Sequence, residues 1–411
     1  MTNTRPSLAT TSTTTCCWKS RPRALSASYK STGRKQLIKQ YLKDGSDAAA
    51  AASCATRTSR TRAGVPSRDT DNNLLRTCQW NIHYLVPNYD DGSSMIEHAH
   101  RVADTLLEVD ADVMILNEFG TSDGRRSWIQ HYDKPLHVLC TRLEDSGYKI
   151  YSEGLVTYPT VVVTRLPVKM SREYLLDYER SVVHVQVEWR MQRQQHTSKM
   201  KQEQKLLVDS SDADDSCNDG MWDSDGSEAS QASSQTTVNV DVDVFGMHLD
   251  YRDCDGGFNR FREAEQLMQI VNNSTCTASR SDVGAYESNA LISGDFNQQR
   301  ACDYSTNEWK WICENKATRR SPQNDGVSEL FNKHGFKCNF DGVEDLVDCN
   351  WNREDPPPAT HWTSTVIDFA YSRGPTLKLK KLFVSPSNLS DHRLVVCDWG
   401  CNEESSADRG M

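Results

Sequence analysis

Short apolar runs punctuate this chain of 411 residues, with polar stretches and helical patterns between them. Residues 74–82 (LLRTCQWNI), 113–116 (VMIL), 160–164 (TVVVT), 290–292 (ALI), 365–371 (TVIDFAY) and 394–399 (LVVCDW) are bounded runs of strand length. Such runs are expected of strands that are mostly buried. Two further stretches, 181–189 (SVVHVQVEW) and 238–247 (VNVDVDVFGM), alternate apolar and polar positions with period two, the pattern of a half-buried strand. Helical spacing is carried by Ile96, Ala99, Val102, Ala103, Leu106 and Leu107 within 94–109, and by Ala264, Leu267, Met268 and Val271 within 262–271. Strands at both ends of the pattern with helices between them predict layered sheets covered by helices.

The pattern fails in two places, and there composition takes over. Residues 1–70 are rich in Ser, Thr, Lys and Arg; 13 Lys/Arg stand against three Asp, a net of +10. They are expected to be a disordered basic extension, with a transit peptide or a polyanion-binding arm as alternatives. A helix over residues 34–43 would be basic and mildly amphipathic, which is the transit-peptide alternative's one local signal. The second failure is the acidic segment at about 192–237. Within it, residues 199–236 carry nine acidic and three basic side chains. Because a strand pattern stands on each side, the segment reads as an overgrown, disordered hairpin loop inside one domain of 71–400. Loop-closure entropy grows slowly enough with length to tolerate it. Residues 401–411 read as a disordered tail.

No stretch approaches the roughly 20 apolar residues of a bilayer span, and the residues after Met1 are polar rather than the apolar core of a secretory leader. The 14 cysteines include no CxxC pair and read as reduced thiols. The expectation is an intracellular protein of cytoplasm or nucleus, or of an organelle if the extension is a transit peptide.

Candidate chemistry sits where the apolar runs end. Asn81 follows Gln79-Trp80, Glu118 ends VMILNE, and His248 ends DVFGMH. Asp295 and Asn297 lie in SGDFN, Asp368 in VIDFAYS, and Asp391 and His392 in LSDHRLVV. Strand ends are rigid places where side chains from several strands can converge. Singly, each residue is more often a turn residue or a cap. Tyr251 and Arg252 follow His248 closely, and an arginine there could read a phosphate by bidentate hydrogen bonds or make a surface ion pair.

In chain order, the blocks QWNIH, LNEF, MHLDY, SGDFN, IDFAYS and SDHRLVV resemble the endonuclease/exonuclease/phosphatase superfamily, whose members are DNase I-like, metal-dependent phosphoesterases. The stretch TVVVTRLPV also resembles a strand of that family. The resemblance runs from about residue 75 to 399, leaving out the acidic segment. It implies an α/β (α+β) fold: a four-layered sandwich of two facing mixed sheets flanked by helices, with the site at one edge. It implies Mg²⁺ or Mn²⁺ as cofactor, hard cations that prefer oxygen ligands. Glu118 would ligate the cation, with Asn81 and Asp391 completing the set or its surroundings. Asp295 would orient or deprotonate the attacking water and Asn297 would fix it. His392 would donate to the phosphoryl group, Asp368 would hold that imidazole, and His248 would be a second donor. Tyr251 and Arg252 are the substrate-binding candidates.

The chain departs from the family where Asn117 stands in place of a frequent Gln, and where Val366 precedes the Ile-Asp pair. It also carries a long Trp- and Cys-containing elaboration over residues 298–362. The implied reaction is in-line hydrolysis of a phosphate ester by an activated water, most simply as a phosphodiesterase or nuclease. A phosphomonoesterase acting on a small molecule or lipid headgroup is the alternative, and an inactive binding module of the same fold is the third reading. The partner is expected to be a phosphate-ester substrate, nucleic acid included, and the protein a monomer. Outside the two failing segments the chain carries net −14, which disfavours a broad duplex-binding groove. A local cluster of Arg165, Arg252, Arg260 and Arg262 is the basic patch such a substrate would need.

Overall fold

The computed structural model describes residues 64, 68, 73–87, 92–120, 134–153, 159–194, 235–251, 257–278, 288–314, 326–342, 346–352 and 355–401. Residues 34–43 and most of the rest of the N-terminal extension, residues 195–234 of the acidic segment, Arg252 and residues 402–411 lie outside the described residues.

Among the described residues, thirteen strands form two mixed sheets. The first has seven strands in the order β10 (Asp348–Cys349), β12 (Lys378–Val384), β13 (Val395–Gly400), β1 (Leu75–Asn81), β2 (Val113–Asn117), β4 (Val161–Thr164) and β3 (Lys149–Tyr151). The second has six, in the order β5 (Val168–Leu175), β6 (Ser181–Gln194), β7 (Gln235–His248), β8 (Asn289–Asp295), β11 (Asp368–Arg373) and β9 (Lys337–Cys338). Each sheet contains one parallel crossover important to the site. Strands β1 and β2 are joined through helix α1 (Met95–Val109), and β7 and β8 through helix α3 (Phe258–Ala278).

The sequence pattern explains the layers. Along β2, Val113 and Ile115 enter the core between the sheets. Met114 and Leu116 enter a second core beneath α1 and helix α2 (Lys134–Asp145). The same alternation splits Val161 and Val163 from Val162 on β4. Helix α1 starts at Ser94, whose hydroxyl accepts the Glu97 amide at 3.2 Å, the Ser-x-x-Glu arrangement that satisfies orphan N–H groups. Its Ala99, Val102, Ala103 and Leu106 are fully buried as expected, and Val109 joins them; of the other expected apolar positions, Ile96 is 42% exposed and Leu107 only partly buried, because both lie off the face that meets the sheet. On the far side, Ala264, Leu267, Met268 and Val271 of α3 pack on the second sheet with Val327 and Phe331 of α5 (Val327–Lys333). A shorter helix, α4 (Thr306–Glu314), lies in the 298–362 elaboration. Full burial of each such aliphatic side chain contributes about 1.5–3 kcal/mol, so the packing of the sheets on each other and on their helices holds the layers together.

Strands β6 and β7 pair antiparallel from Val182 opposite Met247 to Gln194 opposite Gln235. The ladder therefore runs past positions 192 and 237, the expected limits of the acidic segment. Among the described residues, no helix is long and apolar enough to cross a membrane.

Two glycines allow close approaches under the site, one between the sheets and one between neighbouring strands of one sheet. A Cβ on Gly246 would lie 2.9 Å from Val162 Cγ2 of the opposite sheet. One on Gly294, which has φ +154°, would lie 1.8 Å from the Met247 carbonyl oxygen. Only glycine permits that conformation and that approach.

Candidate active site

The ladders place the strand-end residues before any side chain is considered. Asn81 pairs with Asn117 across β1 and β2, and Asp295 pairs with both His248 and Asp368. The carboxyl ends of the four parallel strands thus meet at one edge of the sandwich. The backbone turns sharply there: Glu118 and Asn297, just beyond β2 and β8, have φ of +53° and +51°. Asn adopts this left-handed conformation readily, whereas a glutamate held there signals local strain of the kind concentrated at functional sites.

Asp295 is the hub. Its Oδ2 accepts the Asn81 amide at 3.1 Å, and lies 3.4 Å from His248 Nε2 and 3.7 Å from His392 Nε2. Its Oδ1 accepts the Asn297 N–H at 2.9 Å, and its own N–H donates to Asn117 Oδ1 at 2.9 Å, which bridges the two sheets. Asn297 Nδ2 donates to the Leu249 carbonyl at 2.9 Å, fixing its amide plane. Asn81 Nδ2 also donates to Glu118 Oε1 at 3.1 Å, while Asn81 Oδ1 accepts the His83 N–H at 3.0 Å. Asn81 therefore turns its nitrogen, not its oxygen, toward the carboxylates and ties Glu118 to Asp295.

His392 Nδ1 faces Asp368, with Oδ2 at 2.9 Å and Oδ1 at 3.1 Å. Gln79 Nε2 donates to that Asp368 Oδ1 at 2.8 Å from the opposite sheet. The imidazole is buried, which by itself would discharge it. Asp368, Asp295 and Asp391 nevertheless raise its pKa to about 10, which favours the cationic form. Burial, and then the charge of Asp391, push the Glu118 carboxyl above its ordinary value. Hydrogen bonding from Asn81 and the nearby His392 and His83 work the other way. Asp391 lies 4.0 Å from His83 Nδ1 through Oδ1 and 3.9 Å from His361 Nε2 through Oδ2.

Of the residues proposed from the sequence, Asn81, Glu118, His248, Asp295, Asn297, Asp368, Asp391 and His392 come together here. Tyr251 does not join them; it is half-exposed, with the Arg180 guanidinium 5.8 Å from its ring centroid. The expected arginine cluster is not formed by the three described members. Arg165 pairs with Asp110 and Asp112 beyond the opposite ends of the strands, Arg262 pairs with Asp177 at 3.2 Å, and Arg260 donates to the Asp250 carbonyl. Each is held by a different acidic neighbour, so no shared patch results.

Four contributors were missed. Gln79 lies inside β1, where a polar residue looks like ordinary alternation, and Asn117 closes β2 beside the more conspicuous Glu118. His83 lies in the turn just after the run 74–82, where Asn81 drew the attention, and His361 lies in a turn with no apolar run ahead of it. A polar residue in a strand otherwise buried on both faces, as Gln79 and Asn117 are, was the one available signal.

No protein-family profile and no curated protein matches the sequence. Among solved structures, the chain is similar to an endonuclease/exonuclease/phosphatase from Beutenbergia cavernae DSM 12333, with 15% identity over 80% of this chain and 72% of that one and a TM-score of 0.46. It is similar to truncated Caenorhabditis elegans TDP2 at 16% identity, over 81% of this chain and 100% of that one, with a TM-score of 0.45. An endonuclease/exonuclease/phosphatase family protein from Leptotrichia buccalis C-1013-b gives 14% identity, 79% and 98% coverage and a TM-score of 0.44. In its six sequence blocks, and among solved structures, what the chain resembles is the endonuclease/exonuclease/phosphatase superfamily.

Proposed function

We propose that the chain is a divalent-cation-dependent phosphoric ester hydrolase, and specifically a phosphodiesterase that uses in-line attack by water. The observation that carries this reading is the single hydrogen-bonded and ionic network of Asn81, Glu118, Asp295, His248, Asp368 and His392, assembled from both sheets. It sets one carboxylate between two imidazoles, the pairing of base and donors that hydrolysis of a phosphate ester requires.

The residues present fit a hard cation. Glu118 and Asp391 are close enough for one charge to raise the pKa of the other, and oxygen-rich sites of this kind suit Mg²⁺ or Mn²⁺. Glu118 and Asp391 would hold it, with Asn81 fixing the Glu118 carboxylate. When bound, it supplies charge neutralisation at the phosphoryl and leaving oxygens.

The chain's own groups do the rest. Asp295 Oδ2, oriented by Asn81, takes the proton of the attacking water, and Asn297 fixes the Asp295 carboxylate through its N–H. His392 donates from Nε2 to the phosphoryl group as negative charge builds there, while Asp368 keeps the hydrogen on Nδ1. His248 is the second donor on the other side of Asp295. Nucleic acid is among the substrates this chemistry admits.

The test is hydrolysis of bis(p-nitrophenyl) phosphate beside p-nitrophenyl phosphate with Mg²⁺ or Mn²⁺, with EDTA, Asp295→Asn and His392→Ala as controls. Turnover is expected to be EDTA-sensitive and to fall by far more than tenfold, about 1.4 kcal/mol of barrier, in each variant. Smaller losses would place the active site elsewhere. Preference for the monoester would convert the reading to a phosphomonoesterase, and no turnover of either ester by folded, Mn²⁺-bound protein would favour a binding module.

A further inference from the structure

His361 stands in a tight turn over residues 360–365, where Thr360 N and His361 N both donate to the Thr365 carbonyl at 3.0 Å. The turn is stitched to the segment that carries the site. Trp362 N donates to the Asp391 carbonyl at 2.8 Å, and Arg393 N donates to the Thr360 carbonyl at 2.7 Å. The His361 ring is 5% exposed, and its centroid lies 4.5 Å from that of His392.

The ring is held in one sense. Its Nδ1 lies 2.6 Å from Thr363 Oγ1, which lies 2.9 Å from Thr365 Oγ1, and the Thr363 backbone N–H donates to the same Nδ1 at 3.4 Å. A backbone N–H can only donate, so Nδ1 is the acceptor and the ring hydrogen sits on Nε2. That Nε2–H faces Asp391 Oδ2 across 3.9 Å. The other Asp391 oxygen lies 3.3 Å from the Ser390 hydroxyl, whose hydrogen goes to the Asn81 carbonyl at 2.6 Å, and faces His83, one of the groups whose charge acts on Glu118. His361 thus backs Asp391 on the side away from His83.

His361, Asp391 and His392 also have potential ligand atoms within 4.8 Å of one another. A cation held by all three would need the His361 Nε2 hydrogen removed, against the Thr363 N–H bond, and would compete with Asp368 for the charge state of His392.

We propose that His361 is a positioning residue, whose Nε2–H steers the Asp391 carboxylate through Oδ2 so that Asp391 and Glu118 present a preformed cation site. This rests on the cation-dependent reading above. The 3.9 Å separation is longer than a hydrogen bond, so the carboxylate must move about 1 Å toward the ring to make a charge-assisted one; outer partners of this kind orient metal ligands.

The test is calorimetric titration of the full chain with Mn²⁺, comparing wild type with His361→Phe, His361→Gln and Glu118→Gln, with the melting temperature of each variant recorded. His361→Phe keeps the ring's bulk without its donor and is expected to weaken Mn²⁺ binding about 10- to 100-fold. His361→Gln carries an amide N–H at the Nε2 position and is expected to recover binding to within about threefold of wild type. If His361→Phe does not fold, His361→Asn replaces it, since its amide ends at the Nδ1 position. Wild-type affinity in the donor-less variant overturns the proposal, as does equal impairment in the glutamine variant. If wild type binds no Mn²⁺, or Glu118→Gln binds as wild type does, the cation-dependent reading itself fails.

Discussion

Replacing Asp368 by Asn should invert the proton arrangement of His392 with almost no change in shape. In the native site Gln79 Nε2 donates to Asp368 Oδ1 at 2.8 Å, while Oδ2 stands 2.9 Å from His392 Nδ1. An asparagine must keep its oxygen toward Gln79, because two N–H groups cannot hydrogen-bond each other. Its NH₂ group then occupies the Oδ2 position and faces Nδ1. Nδ1 becomes an acceptor, the imidazole loses the nearest of the three carboxylates that raise its pKa to about 10, and the cationic donor becomes a neutral ring. In a serine-protease triad the same Asp-to-Asn change costs about 10⁴ in kcat because it puts the hydrogen on the nitrogen that must act as base. Here Nε2 keeps the hydrogen it donates and only the ring's charge is lost, so the expected loss is about 10- to 10³-fold, or roughly 1.4–4 kcal/mol of barrier.

The assay is kcat and KM for bis(p-nitrophenyl) phosphate at saturating Mn²⁺, with KM expected to change little. Gln79→Leu in the Asp368→Asn background frees the amide to rotate its oxygen toward Nδ1, and should restore part of the lost rate. A loss below about tenfold, or a double variant no faster than the single one, would refute the proposed hydrogen-bond directionality.

Two further outcomes test the scaffold and the strain. Asn117→Ala removes the partner of the Asp295 N–H, the Met247 carbonyl and the Thr160 hydroxyl, all buried. At about 1–3 kcal/mol for each unsatisfied group, partly relieved by relaxation, urea denaturation should show a loss of about 3–5 kcal/mol; a loss under about 1 kcal/mol would mean that the bridge between the sheets is dispensable. Glu118→Gln removes a charge that burial and Asp391 disfavour while keeping the oxygen that accepts from Asn81. In EDTA its unfolding free energy should rise by about 0.5–2 kcal/mol while turnover is lost, and a lower melting temperature would count against the strained-site reading.

Much of the frame was legible along the chain. The runs at 113–116 and 160–164 are strands within a residue or so of the expected limits, and the helical spacing within 94–109 falls on α1. The hairpin partners 181–189 and 238–247 showed as period-two alternation because one face of each strand meets the opposite sheet. Less was legible in 298–362, where α4, α5 and the two-residue strands β9 and β10 are too short to build a periodicity. Helix α2 also went unread, its apolar positions Leu136, Leu139, Cys140 and Leu143 being interleaved with polar and charged residues.

The sequence by itself determined which residues end the apolar strands and in what order, because alternation and strand-end polarity are local consequences of burial. It therefore named Glu118, His248, Asp295, Asp368 and His392. Tertiary structure alone decided which of them touch, since the decisive bonds join residues far apart: Asn81 to Asp295 across 214 positions, and Gln79 to Asp368 across 289. Facing sheets bring such residues together through packing of side chains whose partners no local pattern records. For the same reason Gln79, Asn117 and His361 emerged as parts of the site only once the layers were stacked.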